Sequence, residues 1–411
     1  MTPVGTNILI MDQAGIGPRI AEARKLAGLT QDGLALLVPC SKSLVSQVER
    51  GCKPATPWLV AAVARALHID VTELTGQPYR GSTRHTDRVH ASIPAIRIAL
   101  SHWDVPPEPE VEPRDLAAIG QDVRKVNALL DKINYVELGK RLPGLIEEMS
   151  VILHDSEGAR RKTVAEMLMH AFVAAKSVAY RLGYVDLTSV AVDRAAQAAR
   201  ETDNPELLAY AAEERSQVFF ASTAYRAGLA YLDRAHREYD SLISTREAGL
   251  AITGSMHLRS AILAARQHPR GVDAWEHLAQ AHEYASRIGR DTNHYGLTFG
   301  PSNVRIHEIA AAIELEDPDE AMRRNEGFKP PRNLPPERSS HHYIDLARVQ
   351  LMAGEPDRAL ESLNRADRLS PQHTVYHPMV RETVNSLLRG HTRIPETLRS
   401  LARRIQMTTP V

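Results

Sequence analysis

Cysteine is nearly missing: the 411 residues hold two, Cys40 and Cys52. Two thiols so placed make neither a disulfide framework nor a metal-binding pair, which excludes the disulfide-stapled secreted class and fits a reducing compartment. Aromatic residues amount to 5%, and a core built from Ala and Leu suits close-packed helices better than sheets. Neither sign of charge is in excess, with 50 basic against 50 acidic residues. That balance argues against a non-specific nucleic-acid coat protein but leaves room for one small basic face. No apolar run approaches the ~18 residues of a membrane span, and the N-terminal residues lack the basic-then-apolar pattern of a secretion signal. A cytoplasmic protein with no membrane association is expected.

What is present is the composition of a globular chain, 43% hydrophobic and 24% charged over 411 residues, too long for one ordinary domain. Residues 1–15 carry no helical period and read as a loose arm. Residues 16–76 form five short amphipathic segments. Residues 77–112, which follow Gly76, hold Pro78, Gly81 and Pro94, then most of the run VPPEPEVEP that ends at Pro113; they read as a linker, stiff at its end, with a short helix near 94–102. From 113 to 411 the pattern is of long helices separated by Gly and Pro breakers, with apolar residues at i, i+3, i+4 and i+7. No alternating strand stands out. The stretch LMAGEPDRALESLNRADRLSP, Leu351–Pro371, has the Gly turn, small Ala and closing Pro of a tetratricopeptide-like half-repeat, and AVDRA, YLDRA and SLNRA recur along the chain. The expected fold is therefore all-α: a five-helix N-terminal domain joined by a linker to a tetratricopeptide-like solenoid of helical hairpins, which serves sensing or dimerisation.

The first domain carries the functional signal. Pro18 suits the first turn of a helix that ends at Gly28. Thr30 is a good N-cap for Gln31 to Leu37, and Ser41 for a helix running to Arg50 and stopped at Gly51. Pro57 starts a fourth helix and Asp70 caps a fifth. The second and third helices, separated by a short turn, make a helix-turn-helix unit. On the third, Val45 and Val48 face inward, while Ser41, Lys42, Ser43, Ser46 and Gln47 face outward. These hydroxyls, amide and ammonium can meet base edges and phosphates, and the unit's second helix enters the major groove by its N-terminal residues. Gln31 is placed against the DNA backbone, and Lys53 at a phosphate.

On Arg24, Gly28-Leu29-Thr30-Gln31, Leu34-Ala35, Ser41, Val45, Ser46, Val48, Glu49-Arg50-Gly51 and Ala64 to Leu67, the segment resembles the Xre family of helix-turn-helix regulators. It departs at Pro39-Cys40, where the family has Gly and an aliphatic residue. The resemblance implies a structural salt bridge between Arg24 and Glu49. The whole chain resembles the Xre–tetratricopeptide regulators of actinomycetes, on FGPSNV (Phe299–Val304), LPPERSSHHYIDLAR (Leu334–Arg348) and HPMVRETV (His377–Val384). That implies a bacterial transcription regulator of the kind associated with secondary metabolism or development.

Phosphate attraction from so small a basic excess is weak, so a homodimer on two-fold double-stranded operator DNA is expected, with half-sites about one helical turn apart. In the second domain, Asn293, His294, Tyr295, Phe299, Asn303 and His307 crowd one helix–helix connection. They are the candidate site for a small-molecule or peptide effector. Asn303 and His307, four apart, read either as an amide–imidazole pair that pins a ligand or as a buried polar knot. His373 and His377 also sit at i, i+4, but Pro378 follows and no third ligand is evident, so no metal and no cofactor is expected. There is no nucleophile elbow, phosphate-binding Gly loop or paired-carboxylate site, and an enzyme is not expected. The expected function is effector-responsive, sequence-specific transcription regulation. The alternative is a constitutive regulator or protein-binding scaffold whose helical domain only dimerises or docks a partner.

Overall fold

A computed structural model of the chain describes residues 15–79, 88–106, 108, 112–267, 272–390 and 393–407. The arm read at 1–15 (up to residue 14), part of the Pro-rich run and the Pro269–Gly271 breaker between helices lie outside the described residues.

Five helices open the described chain: α1 (Ile16–Leu26), α2 (Gln31–Leu37), α3 (Lys42–Glu49), α4 (Pro57–Leu67) and α5 (Val71–Thr75). Their ends are set by local chemistry. Thr30, Ser41 and Thr56 each accept a hydrogen bond from a backbone N–H of the turn they open, and Asp70 closes a reciprocal capping box with Glu73. Gly28 and Gly51, both at φ 70°, stop α1 and α3 in the left-handed conformation that glycine adopts without steric cost. Ile20, Leu34, Val45, Val48, Leu59, Val63 and Leu74 form the small core. Each such side chain stabilises the fold by about 1.5–3 kcal/mol on burial.

The stretch read as a linker does more than connect. Its apolar part, Ile93–Ser101, is a helix (α6) whose Ile93, Ile96, Ala99 and Leu100 are buried in the core of the helical body. The Pro and Gly residues at its two ends gave a spacer-like composition that hid this packing face.

The helical body continues with α7 (Leu116–Asp131), α8 (Tyr135–His154), α9 (Gly158–Leu182), α10 (Val185–Arg200), α11 (Pro205–Ala221), α12 (Tyr225–Ile243), α13 (Glu247–Gln267) and α14 (Val272–Ile288). After a hairpin come α15 (Pro301–Glu314), α16 (Pro318–Asn325), α17 (Pro336–Met352), α18 (Pro356–Leu369), α19 (Pro371–Tyr376), α20 (Pro378–Gly390) and α21 (Glu396–Arg404). Each helix packs on its chain neighbour, and α9 on α11, α11 on α13, α13 on α15 and α15 on α17. Contacts between neighbours and next neighbours define a solenoid of helical hairpins. Buried Ala171, Ala174, Ala175 and Ala179 on α9, and Ala191, Ala195, Ala198 and Ala199 on α10, let the axes approach closely. The solenoid curls until its ends meet: the Tyr135 N–H donates to Gln372 Oε1 at 3.0 Å, and Arg181 of α9 pairs with Glu337 of α17.

One element departs from the all-helical expectation. Thr292–His294 (β1) and Leu297–Phe299 (β2) pair antiparallel, with His294 opposite Leu297. The two loop residues, Tyr295 (φ 56°) and Gly296 (φ 78°), are both left-handed, as the tightest hairpin turn with matching twist requires. The Tyr-Gly dipeptide is a weaker signal than Asn-Gly, and three-residue strands leave little alternation to read.

The first five helices dock on the helical body, with α4 against α13 and the α1 end against α20. Buried Glu382 of α20 accepts from Ala55 N at 3.0 Å and Ile16 N at 3.4 Å, serving the otherwise unpaired N-terminus of α1. Arg389 donates to Arg50 O at 3.0 Å, Arg65 reaches Thr223 O, and Met379 closes the small core from below.

Candidate nucleic-acid interface and helical lumen

The outward face of α3 is open. Ser41, Lys42, Ser43 and Lys53 are exposed, Ser46 and Gln47 are half-exposed, and Val45 and Val48 are buried. Ser41 Oγ is engaged in capping, accepting from Leu44 N at 3.1 Å. Lys42 forms a 2.6 Å ion pair with Asp32 in solvent, a contact worth little and easily exchanged for a phosphate. Gln47 Nε2 donates to Ser43 Oγ at 3.2 Å. The Lys53 side chain has no partner among the described residues. Among the described residues the body's hydrogen bond to this helix end is Arg389 on Arg50 O, while Ser41, Lys42 and Ser43 at the N-terminal turn are exposed.

Behind that face, Arg24 and Glu49 are joined by two hydrogen bonds, Nε to Oε1 at 2.6 Å and Nη2 to Oε2 at 2.9 Å, with side chains 9% and 5% exposed. Arg24 Nη1 also donates to Leu29 O at 2.7 Å, tying α1 to the start of α2. Gln31 donates to Glu49 Oε2 at 2.8 Å. Gln31, half-exposed at the start of α2, thereby orients this pair. Burial pushes the Glu49 carboxyl up, but the hydrogen bonds from Arg24 and Gln31 outweigh it and hold it below its ordinary range.

The six residues singled out in the second domain separate into two groups. Tyr295, Asn303 and His307 line a cavity of about 150 Å³ inside the solenoid; Asn293, His294 and Phe299 do not. Asn293 is exposed at the hairpin, His294 Nε2 lies 2.8 Å from Glu247, and Phe299 is fully buried against Gly254, where any Cβ would collide with its ring. Tyr295 stacks with Tyr210 and His170, its hydroxyl donating to Glu206 at 2.9 Å. Asn303 Nδ2 donates back to Thr298 O and His307 Nδ1 to Asn303 O at 2.8 Å, so the pair stitches hairpin to helix. Both also face the cavity, and Asn303 Oδ1 has no hydrogen-bond partner among the described residues. Burial, helped by Arg338, drives the His307 imidazole down to about 3. It is neutral, and with Nδ1 donating, Nε2 is an acceptor.

What the sequence reading missed is the charge around this cavity. Arg181 borders it and two adjoining cavities, of about 100 and 190 Å³, and the last of these reaches the underside of α4 and α5 at Pro57, Val60, Val71 and Thr75. Arg259 pairs with fully buried Glu213 at 2.8 Å, and Lys176 with Glu214. Arg266 and Arg348 share Glu314, each at 3.2 Å. Arg338 is different. Its ion pair among the described residues is a 3.9 Å approach to Glu337, its Nε has no partner, and its side chain is 14% exposed. Burial lowers its pKa; Glu337 opposes the shift, and Arg259 and Arg181 reinforce it. These residues come from α9, α11, α13, α15 and α17, far apart in sequence, and no local spacing announces them.

Histidines His341, His373 and His377 also meet, with ring centroids 5.3–5.7 Å apart. The third imidazole that the His373–His377 spacing lacked is thus supplied by α17. However, Arg181 Nη1 stands 3.2 Å from His373 Nε2, which makes this a poor place for a cation.

Among the described residues no helix is long and apolar enough to cross a membrane. No curated relative matches the chain by sequence. Among solved structures, it is similar to Bacillus thuringiensis PlcR in complex with the peptide PapR7 and DNA, at 15% identity and a TM-score of 0.29, over 67% of this chain and 95% of that one. Residues 16–75, which span all five N-terminal helices, match the family described as "Helix-turn-helix domain".

Proposed function

We propose that the chain is a sequence-specific DNA-binding transcription regulator whose helical body receives an effector in its lumen. The observation that carries the DNA reading is the open face of α3: Lys42, Ser43, Ser46 and Gln47 lie on the outside of a domain that matches the helix-turn-helix family. In such a domain these positions meet base edges while Lys53 and Gln31 serve the backbone contacts. The charge of the unit is modest, so a homodimer on two half-sites about one helical turn apart supplies the affinity. An Xre-type regulator of the actinomycete kind, tied to secondary metabolism, is the biological setting that the sequence resemblance favours.

The effector reading rests on the lumen. Buried polar atoms without partners are rare in folded proteins, and here Arg338 Nε, Asn303 Oδ1 and Glu314 Oε2 belong to residues that line adjoining cavities. An under-compensated guanidinium beside a neutral imidazole acceptor and a tyrosine stack suits a small molecule or peptide with an anionic end. The cavities run on to α4 and α5, so occupancy can bias how the DNA-binding unit is held. A coupling of about 1–3 kcal/mol changes DNA affinity 5- to 150-fold.

The test is selection of DNA from a random pool by the full-length chain, followed by footprinting. A two-fold site protected in two adjacent major grooves is expected. Recovery of no common sequence, with a protein partner retained instead, would establish the scaffold alternative.

A further inference from the structure

A second histidine cluster lies on α12, α13 and α14. His236 and Asp240, one turn apart on α12, are 3.1 Å from each other. The His257 ring of α13 stacks on His236 with centroids 4.0 Å apart, and His277 of α14 brings its Nδ1 to 3.2 Å from His257 Nδ1. One ligand atom each from His236, Asp240 and His257 can be chosen within 4.8 Å of one another. His236 Nε2 is buried and has no hydrogen-bond partner among the described residues.

We propose that His236, Asp240 and His257, with His277 beside them, bind a divalent first-row transition metal ion, zinc foremost, which staples α12, α13 and α14 together. Imidazole nitrogens and one carboxylate are the donor set that zinc favours, and two nitrogens about 2.1 Å from a tetrahedral ion lie ~3.4 Å apart, close to the 3.2 Å between His257 Nδ1 and His277 Nδ1. Metal ligation needs a nitrogen with a free lone pair, and the buried His236 Nε2, which has no hydrogen-bond partner among the described residues, offers one. The surroundings welcome a cation: Asp233, Asp273 and Glu276 act on His277 in addition to the Asp240 carboxylate on His236. This is the reverse of the His341–His373–His377 group, where arginines crowd the rings. The site is independent of the lumen and of DNA binding, and the local sequence marks only its His236–Asp240 spacing, since its members come from three helices.

The experiment uses the full-length chain, stripped with a chelator and dialysed against micromolar zinc. Metal is counted by elemental analysis, and cobalt(II) substitution reports ligand geometry through its visible bands. One ion per chain is expected, with intense tetrahedral cobalt bands. Asp240→Asn should weaken binding on the order of 10- to 100-fold, and His257→Gln should remove it, while His377→Ala keeps it. Failure of the wild-type chain to take up zinc, or wild-type zinc affinity retained in both Asp240→Asn and His257→Gln, overturns the proposal. If His257→Gln does not fold, the affinity and cobalt spectrum of Asp240→Asn, a rim change of equal size, decide the matter.

Discussion

In the helix-turn-helix unit the buried residues are aliphatic, and the buried charge is confined to Arg24 and Glu49, which satisfy each other in two parallel hydrogen bonds. In the helical body the lumen buries Lys176, Arg181, Arg259, Arg266, Arg338 and Arg348 against Glu213, Glu214, Glu314, Glu337 and Asp345, and several of their atoms lack partners. The first arrangement makes a rigid part with a fixed outer face. The second contributes little to stability, because desolvation of buried ions offsets their attraction. Such a network is better suited to receiving a polar ligand than to holding the fold together.

Five changes would break or sharpen this contrast. Arg24→Ala leaves Glu49 buried and unpaired and should cost about 3–5 kcal/mol, the scale for breaking a buried pair; hydrogen exchange across α1 to α3 would show it. If that exchange is unaltered, the pair does not organise the unit. Acidification should act on the other region. His307 and His373, both held near 3 chiefly by burial, sit below the ~6.5 of an unfolded histidine. The stability they contribute is complete above pH 6.5 and is lost as pH falls toward 3, at roughly 2 kcal/mol apiece by pH 5. Glu49, also depressed, keeps its contribution until pH drops below about 4.3. Exchange at pH 5 should therefore loosen α15, α17 and α19 while α1 to α5 stay protected; the opposite order would contradict the contrast. Lys53→Ala should weaken binding to all DNA sequences alike and lower the salt slope by about 1. The smallest effect is expected for Arg338→Met, within ~1 kcal/mol of neutral and on the stabilising side. Arg259→Met, which strips Glu213 of its partner, should destabilise in the same denaturation assay.

The same contrast explains what could be read from the chain. The caps at Thr30, Ser41 and Asp70, the glycines at 28 and 51 and the inward Val45 and Val48 are local signals, each legible within one turn, and the helices begin and end where those residues place them. The lumen is assembled from side chains separated by up to about half the chain. Tyr295, Asn303 and His307 were visible because they crowd one connection, but Arg181, Arg259 and Arg338 each look like an ordinary surface arginine of an amphipathic helix. Glu382 likewise reads as a solvent-facing residue, though it holds the first helix by its N-terminus. The hairpin escaped notice because its strands are too short for alternation to show. The stretch 77–112 was read from its prolines and glycines, while Ile93, Ile96 and Leu100 determine where its helix packs.

Sequence-specific recognition through α3 is the central claim, and the most direct measurement compares affinities of the wild-type chain and Gln47→Ala for the selected site and for a scrambled duplex at one fixed salt concentration. The wild type should prefer its site by at least ~10³-fold, and Gln47→Ala should lose about 1–3 kcal/mol of that preference while binding the scrambled duplex as before. Equal affinity of the wild type for both duplexes, or an equal loss on both in the variant, would contradict it.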